Sequence, residues 1–306
     1  MRGRAIRFLA GLASAGLLLG CSTTGSSGPA APATPTGPVL VVKIDNVAQA
    51  RLATGLGSAD IVFAEPVEGG LSRLAAVFTT RRPPAIGPVR SARETDYDLL
   101  AAFGRPVFAY AGAAPEIDRA LHTPALSDRI VNASPADTPA AYVRDDARPA
   151  PHNLFVRPEA LPAGEGPLLD ALIARGPAPP GRTPTPGRTV SYAAASFDFR
   201  WDGGRWLVWL DGSPLTSTEV GQLGAATVIL QQVTTRPGTI ADAQGRTAPV
   251  AQTVGTGAAT LLRDGAAFDA VWSRPTPHAA TTFTTPGGAP LPAADGPVWV
   301  VLIPTG

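Results

Sequence analysis

Cysteine, lysine and methionine occur once each in the 306 residues, and histidine three times. A single cysteine forbids an intramolecular disulfide, so the fold has to stand on its core. His122, His152 and His278 are far apart and show no metal-binding spacing, so neither a metal nor a cofactor is expected. Beyond the first twenty residues there is no G-x-S-x-G elbow, and no phosphate-binding glycine loop surrounds Lys43, the one lysine. Long apolar runs are missing too. The longest, Phe8 to Leu19, has 12 residues, well short of the roughly 20 that span a membrane.

That short run is informative in itself. Arg2, Arg4 and Arg7 precede it, and Leu18-Leu19-Gly20-Cys21 closes it, which is the form of an export signal ending in a bacterial lipobox. The expected product starts at an acylated Cys21 and sits on the extracytoplasmic face of the cell membrane, anchored to it rather than spanning it. Loss of the three arginines lowers the formal charge from +1 to −2, which removes the basic face that a nucleic-acid partner requires. Residues 22–37 are Ser, Thr, Gly, Pro and Ala, and 21–37 read as a flexible tether beginning at Cys21. The 33 glycines and 33 prolines make about 22% of the chain, below the roughly 25–30% of disordered sequences, and the 44% apolar content supports a core.

From residue 38 strands alternate with short helices. Strands are expected at 39–44, 61–64, 71–79 and 106–110, with Gly69-Gly70 as a turn. Helices are expected at 94–103, where Leu99, Leu100 and Phe103 share a face, and at 115–121, with proline near the start. Residues 38–173 therefore read as an α/β (α+β) domain with a central sheet. Residues 174–188 are a proline- and glycine-rich linker. Residues 189–306 read as a mainly antiparallel β domain, with short strands separated by Asp202-Gly203, Asp211-Gly212 and Asp264-Gly265 turns. Gly255-Thr256-Gly257 superficially looks like a nucleotide loop, but a hairpin accounts for it better.

Several long motifs carry a family resemblance: VVKIDN at 41–46, GLGSADIVFAEPVEGGLSRLAAVF at 55–78, IGPVRSARETDYDL at 86–99, RPAPHNLF at 148–155, TVGTGAATLLRDG at 253–265 and WSR at 272–274. With these the chain resembles the YerB-like bacterial lipoproteins, built from two paired domains of unknown function. The resemblance implies a surface lipoprotein with no agreed activity. Glu94-Thr95 departs from the family pattern, in which a proline-tyrosine pair is common.

The residues themselves suggest a site. Arg90, Ser91 and Arg93 lie between a strand and a helix, where ligands approach open sheets beyond the carboxyl ends of strands. Two arginines three apart at a helix entrance could clamp a phosphate or carboxylate, aided by helix amides, with Arg73 joining from a neighbouring strand. The competing reading makes these arginines structural partners of Glu65, Glu68, Asp96 and Asp98. The acidic set Asp45, Glu65, Glu68, Asp96 and Asp98 has no spacing that demands a divalent ion. His152-Asn153 follows a proline-rich loop, so His152 is either a general acid or base or a hydrogen-bonded loop histidine. Two functions follow. One is a module binding an anionic cell-wall polymer, a lipid-linked precursor or an envelope protein. The other is an enzyme on phosphorylated envelope carbohydrate, by fold-level similarity to the LytR-CpsA-Psr phosphotransferases.

Overall fold

Five successive buried residues need a strand covered on both faces, and that is how β1 (Leu40–Ile44) is built. The computed structural model describes residues 36–305 apart from 243 and 244; Cys21, the export signal and most of the tether lie outside the described residues. β2 (Ile61–Pro66) and β3 (Ser72–Phe78) form an antiparallel pair across Gly69-Gly70. Both glycines take positive φ, 70° and 71°, and a side chain on Gly70 would collide with Ala193. β3 also pairs antiparallel with β1. Next come α1 (Thr95–Ala101), β4 (Val107–Ala109) parallel to β1, α2 (Pro115–Leu121) and β5 (Val131–Asn132) parallel to β4. Only seven residues long, α1 is shorter than the 94–103 expected, and its first turn is closed by Asp96 Oδ2 accepting from Arg93 N at 2.7 Å. The Arg93 amide is therefore not offered to a ligand.

The second half is strand-rich. β6 (Gly187–Ser191), β7 (Ser196–Trp201) and β8 (Trp206–Leu210) make an antiparallel meander. β9 (Thr227–Ala241), β10 (Thr247–Ala251), β11 (Gly255–Arg263) and β12 (Ala266–Arg274) follow, and β13 (Val298–Thr305) comes last. The turn joining β11 to β12 has Asp264 and Gly265 both at positive φ, as a two-residue hairpin loop requires. Gly255-Thr256-Gly257 lies within β11, with Gly257 so close to Trp272 that a side chain would not fit.

The two halves share one sheet. β13 pairs in parallel with β9 on one side and with β2 on the other, giving a twelve-stranded sheet whose order through the middle is β12-β11-β9-β13-β2-β3-β1-β4-β5. The meander covers one face, where Phe197, Phe199 and Trp206 pack in the same core as Trp299 and Val42. On the other face α1, α2 and residues 169–173 cover Val41, Val77, Val300 and Leu302. Each core thus draws on both halves. Residues 174–188 are largely exposed but strapped to the sheet: Arg263 Nη1 donates to Gly176 O at 2.9 Å, and Thr183–Pro184 pairs with β12. A protease cut in this segment should therefore leave two pieces that co-elute on gel filtration and separate only in denaturant. Separation in native buffer would show that the shared sheet does not hold the halves together.

Candidate functional site

A period of two decides which side chains meet. Val41, Lys43 and Asp45 share a face at the end of β1, Phe63 and Glu65 do so on β2, and Arg73, Ala75 and Val77 on β3. Registry sets Lys43 opposite Ala75 and Glu65 opposite Arg73. All four charged residues thus emerge on the helix-covered face, at the carboxyl ends of β1 and β2.

Beneath the surface Lys43 is fully buried, and its Nζ donates to Glu65 Oε2 and Asp96 Oδ1, each at 2.8 Å. Burial raises Glu65 from the ordinary 4.5 to about 7 against the pull of the Lys43 ammonium, and Asp96 adds to the rise. Glu65 and Asp96 therefore belong to a buried triad and not to an arginine clamp. The lysine is the residue that sequence reasoning passed over.

Above the triad Asp45 is the hub. Its Oδ1 lies 3.2 Å from Arg73 Nη1, and its Oδ2 lies 2.8 Å from both Arg90 Nε and His152 Nδ1. One buried carboxylate so faces two guanidiniums and an imidazole. The arginine contacts are charge contacts: Arg73 Nε and Nη1 and Arg90 Nε are buried with no aligned hydrogen-bond acceptor among the described residues. Burial lowers Arg73 to about 10, with Asp45 opposing the shift.

Arg73, Arg90 and His152 line a cleft of about 530 Å³ with Glu68, Ser91 and Arg93, and Asp45 lies buried behind them. Arg93 forms a two-pronged pair with Glu68, its Nε 2.8 Å from Oε2. Burial would raise Glu68, but the hydrogen bonds and charge of Arg93 hold it below the usual carboxylate range. Ser91 donates to Ala111 O at 3.3 Å. Two predicted residues are elsewhere: Asp98 is exposed on α1 outside the cleft, and Asn153 accepts from Arg144 Nη1 at 2.8 Å. Among the described residues no group of three or more His, Cys, Asp or Glu is arranged to hold a metal.

The far wall comes from the second half. Beyond Thr234 β9 outruns its sheet neighbours and, paired with β10, brings Ile240 and Ala248 to the cleft. Glu94 fixes this hairpin by accepting from Thr239 N at 2.9 Å and Thr239 Oγ1 at 2.7 Å, and Thr95 Oγ1 accepts from Ala251 N at 3.1 Å. Glu94 and Thr95 therefore tie the hairpin to α1.

Fold and cleft together define a strand-rich, two-segment protein whose site is walled by both segments. The chain belongs to a family of unknown function: residues 23–166 match the DUF3048 N-terminal domain and residues 188–300 the DUF3048 C-terminal domain. It is YerB-like, being 35% identical over 118 residues to "Putative lipoprotein YerB" of Bacillus subtilis (strain 168). That alignment takes in 39% of this chain and only 34% of the relative's length. The crystal structure of YerB from Bacillus subtilis shares the fold, with a TM-score of 0.71 at 21% identity over 88% of this chain and 92% of that one.

Proposed function

We propose that this chain is a membrane-anchored envelope lipoprotein that binds an anionic ligand in the Asp45 cleft. The anchor rests on the lipobox at Cys21 and on the lipoprotein name of the Bacillus relative. No helix among the described residues is long and apolar enough to cross a membrane. Cys21→Ala should abolish lipid attachment, checked by detergent partitioning and mass spectrometry of the N-terminus. An unmodified N-terminus elsewhere in a soluble wild-type product would overturn this part.

The observation that carries the ligand is the imbalance at Asp45: one carboxylate for two guanidinium donor groups that line the cleft, with 26% of the Arg90 side chain exposed. An anion in the cleft supplies acceptors to these donors, and such charge-assisted bonds contribute about 1.5–3 kcal/mol each. Arg90→Ala should weaken binding of inorganic phosphate or alkyl phosphates about ten- to a hundred-fold by calorimetric titration. Arg90→Lys should restore little, because it lacks the planar fork. Unchanged binding with a large fall in melting temperature would mean that the arginine holds the fold only. The phosphotransferase-like alternative needs acids and arginines converging on one pocket with a metal; Glu68, Arg73, Arg90 and Arg93 do share the cleft, but Glu68 is taken up by Arg93, and Glu65 and Asp96 are turned onto Lys43. Binding is the reading that the geometry favours.

A further inference from the structure

The cleft is far larger than an inorganic anion, since about 530 Å³ falls in the range of roughly 300–1,000 Å³ that accommodates organic ligands. Its guanidinium end is also only part of it. Val47, Leu71, Ala113, Ala114 and Ile240 line the remainder, and all five are half-buried. The cleft thus carries apolar wall beside its charged groups, which also include Glu94, Asp242 and Arg246. Part of that apolar wall belongs to the hairpin that Glu94 holds against α1.

We infer that the ligand is an amphiphile, a phosphate monoester head on a hydrocarbon chain, with the head at Arg73 and Arg90 and the chain along the Val47, Leu71 and Ile240 wall. This rests on the anion-binding reading and adds the chemical class. Phosphate suits the head because the two arginines that line the cleft come from different parts of the fold, β3 and the segment before α1. A tetrahedral anion presents oxygens in more than one plane. Hydrocarbon suits the rest because half-buried aliphatic walls gain by losing contact with water. Such a ligand is available either as a membrane lipid or as a water-soluble phosphate ester, and the chemistry of the cleft is the same for both.

The test uses the chain from residue 22 onward without lipid, which contains the whole compact unit beginning at Thr34. Ethyl, butyl, hexyl and octyl phosphate are titrated calorimetrically, below their micellar concentrations. Affinity should rise by up to about fourfold per methylene (about 0.8 kcal/mol) until the cleft is full. Ile240→Asn should flatten the series, and Arg90→Ala should lower every member by a similar factor. If ethyl phosphate binds in an Arg90-dependent way and chain length changes nothing, the amphiphile is wrong and the anion site stands. If no phosphate ester binds, both fall. Uncharged alcohols binding with the same slope and strength would overturn the head assignment. Sedimentation with phosphatidylcholine vesicles, with and without phosphatidic acid, separates the sources: selective capture by the acidic vesicles identifies a bilayer lipid. Octyl phosphate binding without capture identifies a soluble ester.

Discussion

Lys43→Met should cost the protein about 3–5 kcal/mol of stability, because it strands two fully buried carboxylates without their cation. Urea melts measure this, and the triple variant Lys43→Met, Glu65→Gln, Asp96→Asn should recover much of the loss by removing the charges together. A single variant as stable as the wild type would mean that the triad is solvated. A pH dependence follows from the same group. Folding raises Glu65 from 4.5 to about 7, so the unfolded chain gives up this proton first as pH climbs. The stability that Glu65 contributes is complete below pH 4.5 and is lost as pH rises to about 7, by about 3 kcal/mol. The stability difference between wild type and Glu65→Gln should drift by that amount across the window and be flat above about pH 8. A difference constant from pH 4 to 8 would contradict the raised value.

Asp45→Ala should be comparably damaging, with an expected loss of about 3–5 kcal/mol. Arg73 is only 5% exposed and would share its pocket with Arg90 with no counter-charge between them. The loss should be partly reversible by an added anion. A ligand that binds only the folded state stabilises it by mass action, and phosphate would supply the missing negative charge. Millimolar phosphate should therefore raise the melting temperature of the Asp45 variant more than that of the wild type. Equal shifts in the two proteins would mean that phosphate acts elsewhere. Arg73→Met combined with Asp45→Ala should be more stable than Asp45→Ala alone, because the buried charge leaves with its partner.

Much of this site could be read from the chain before any coordinates. The Gly69-Gly70 turn between two strands sets Glu65 across from Arg73, and the strand period carries Lys43 and Asp45 to the same face. Lys43 was legible on one further ground. A charge in the middle of an apolar run covered on both faces must be paired, so the one lysine in VVKIDN had to have acidic neighbours. The absence of a phosphate loop distracted from that. The length of β9 was hidden because Arg236-Pro237-Gly238 looks like a strand end, and only a register shift between Pro237 and Ala241 lets the pairing continue. The insertion of β13 between β2 and β9 left no local trace, since parallel pairing across more than 230 residues of chain has no signature in either strand.

That insertion sets an order of events for folding. β2 is complete at residue 66, yet the neighbour that covers its free edge is not available until residues 298–305 have been made. Until then Ile61 to Ala64 presents an apolar strand with unpaired backbone groups, the kind of edge that recruits strands from other molecules. Folding therefore cannot finish before the last strand has been made, and the incomplete chain is the form most exposed to strand exchange with its neighbours.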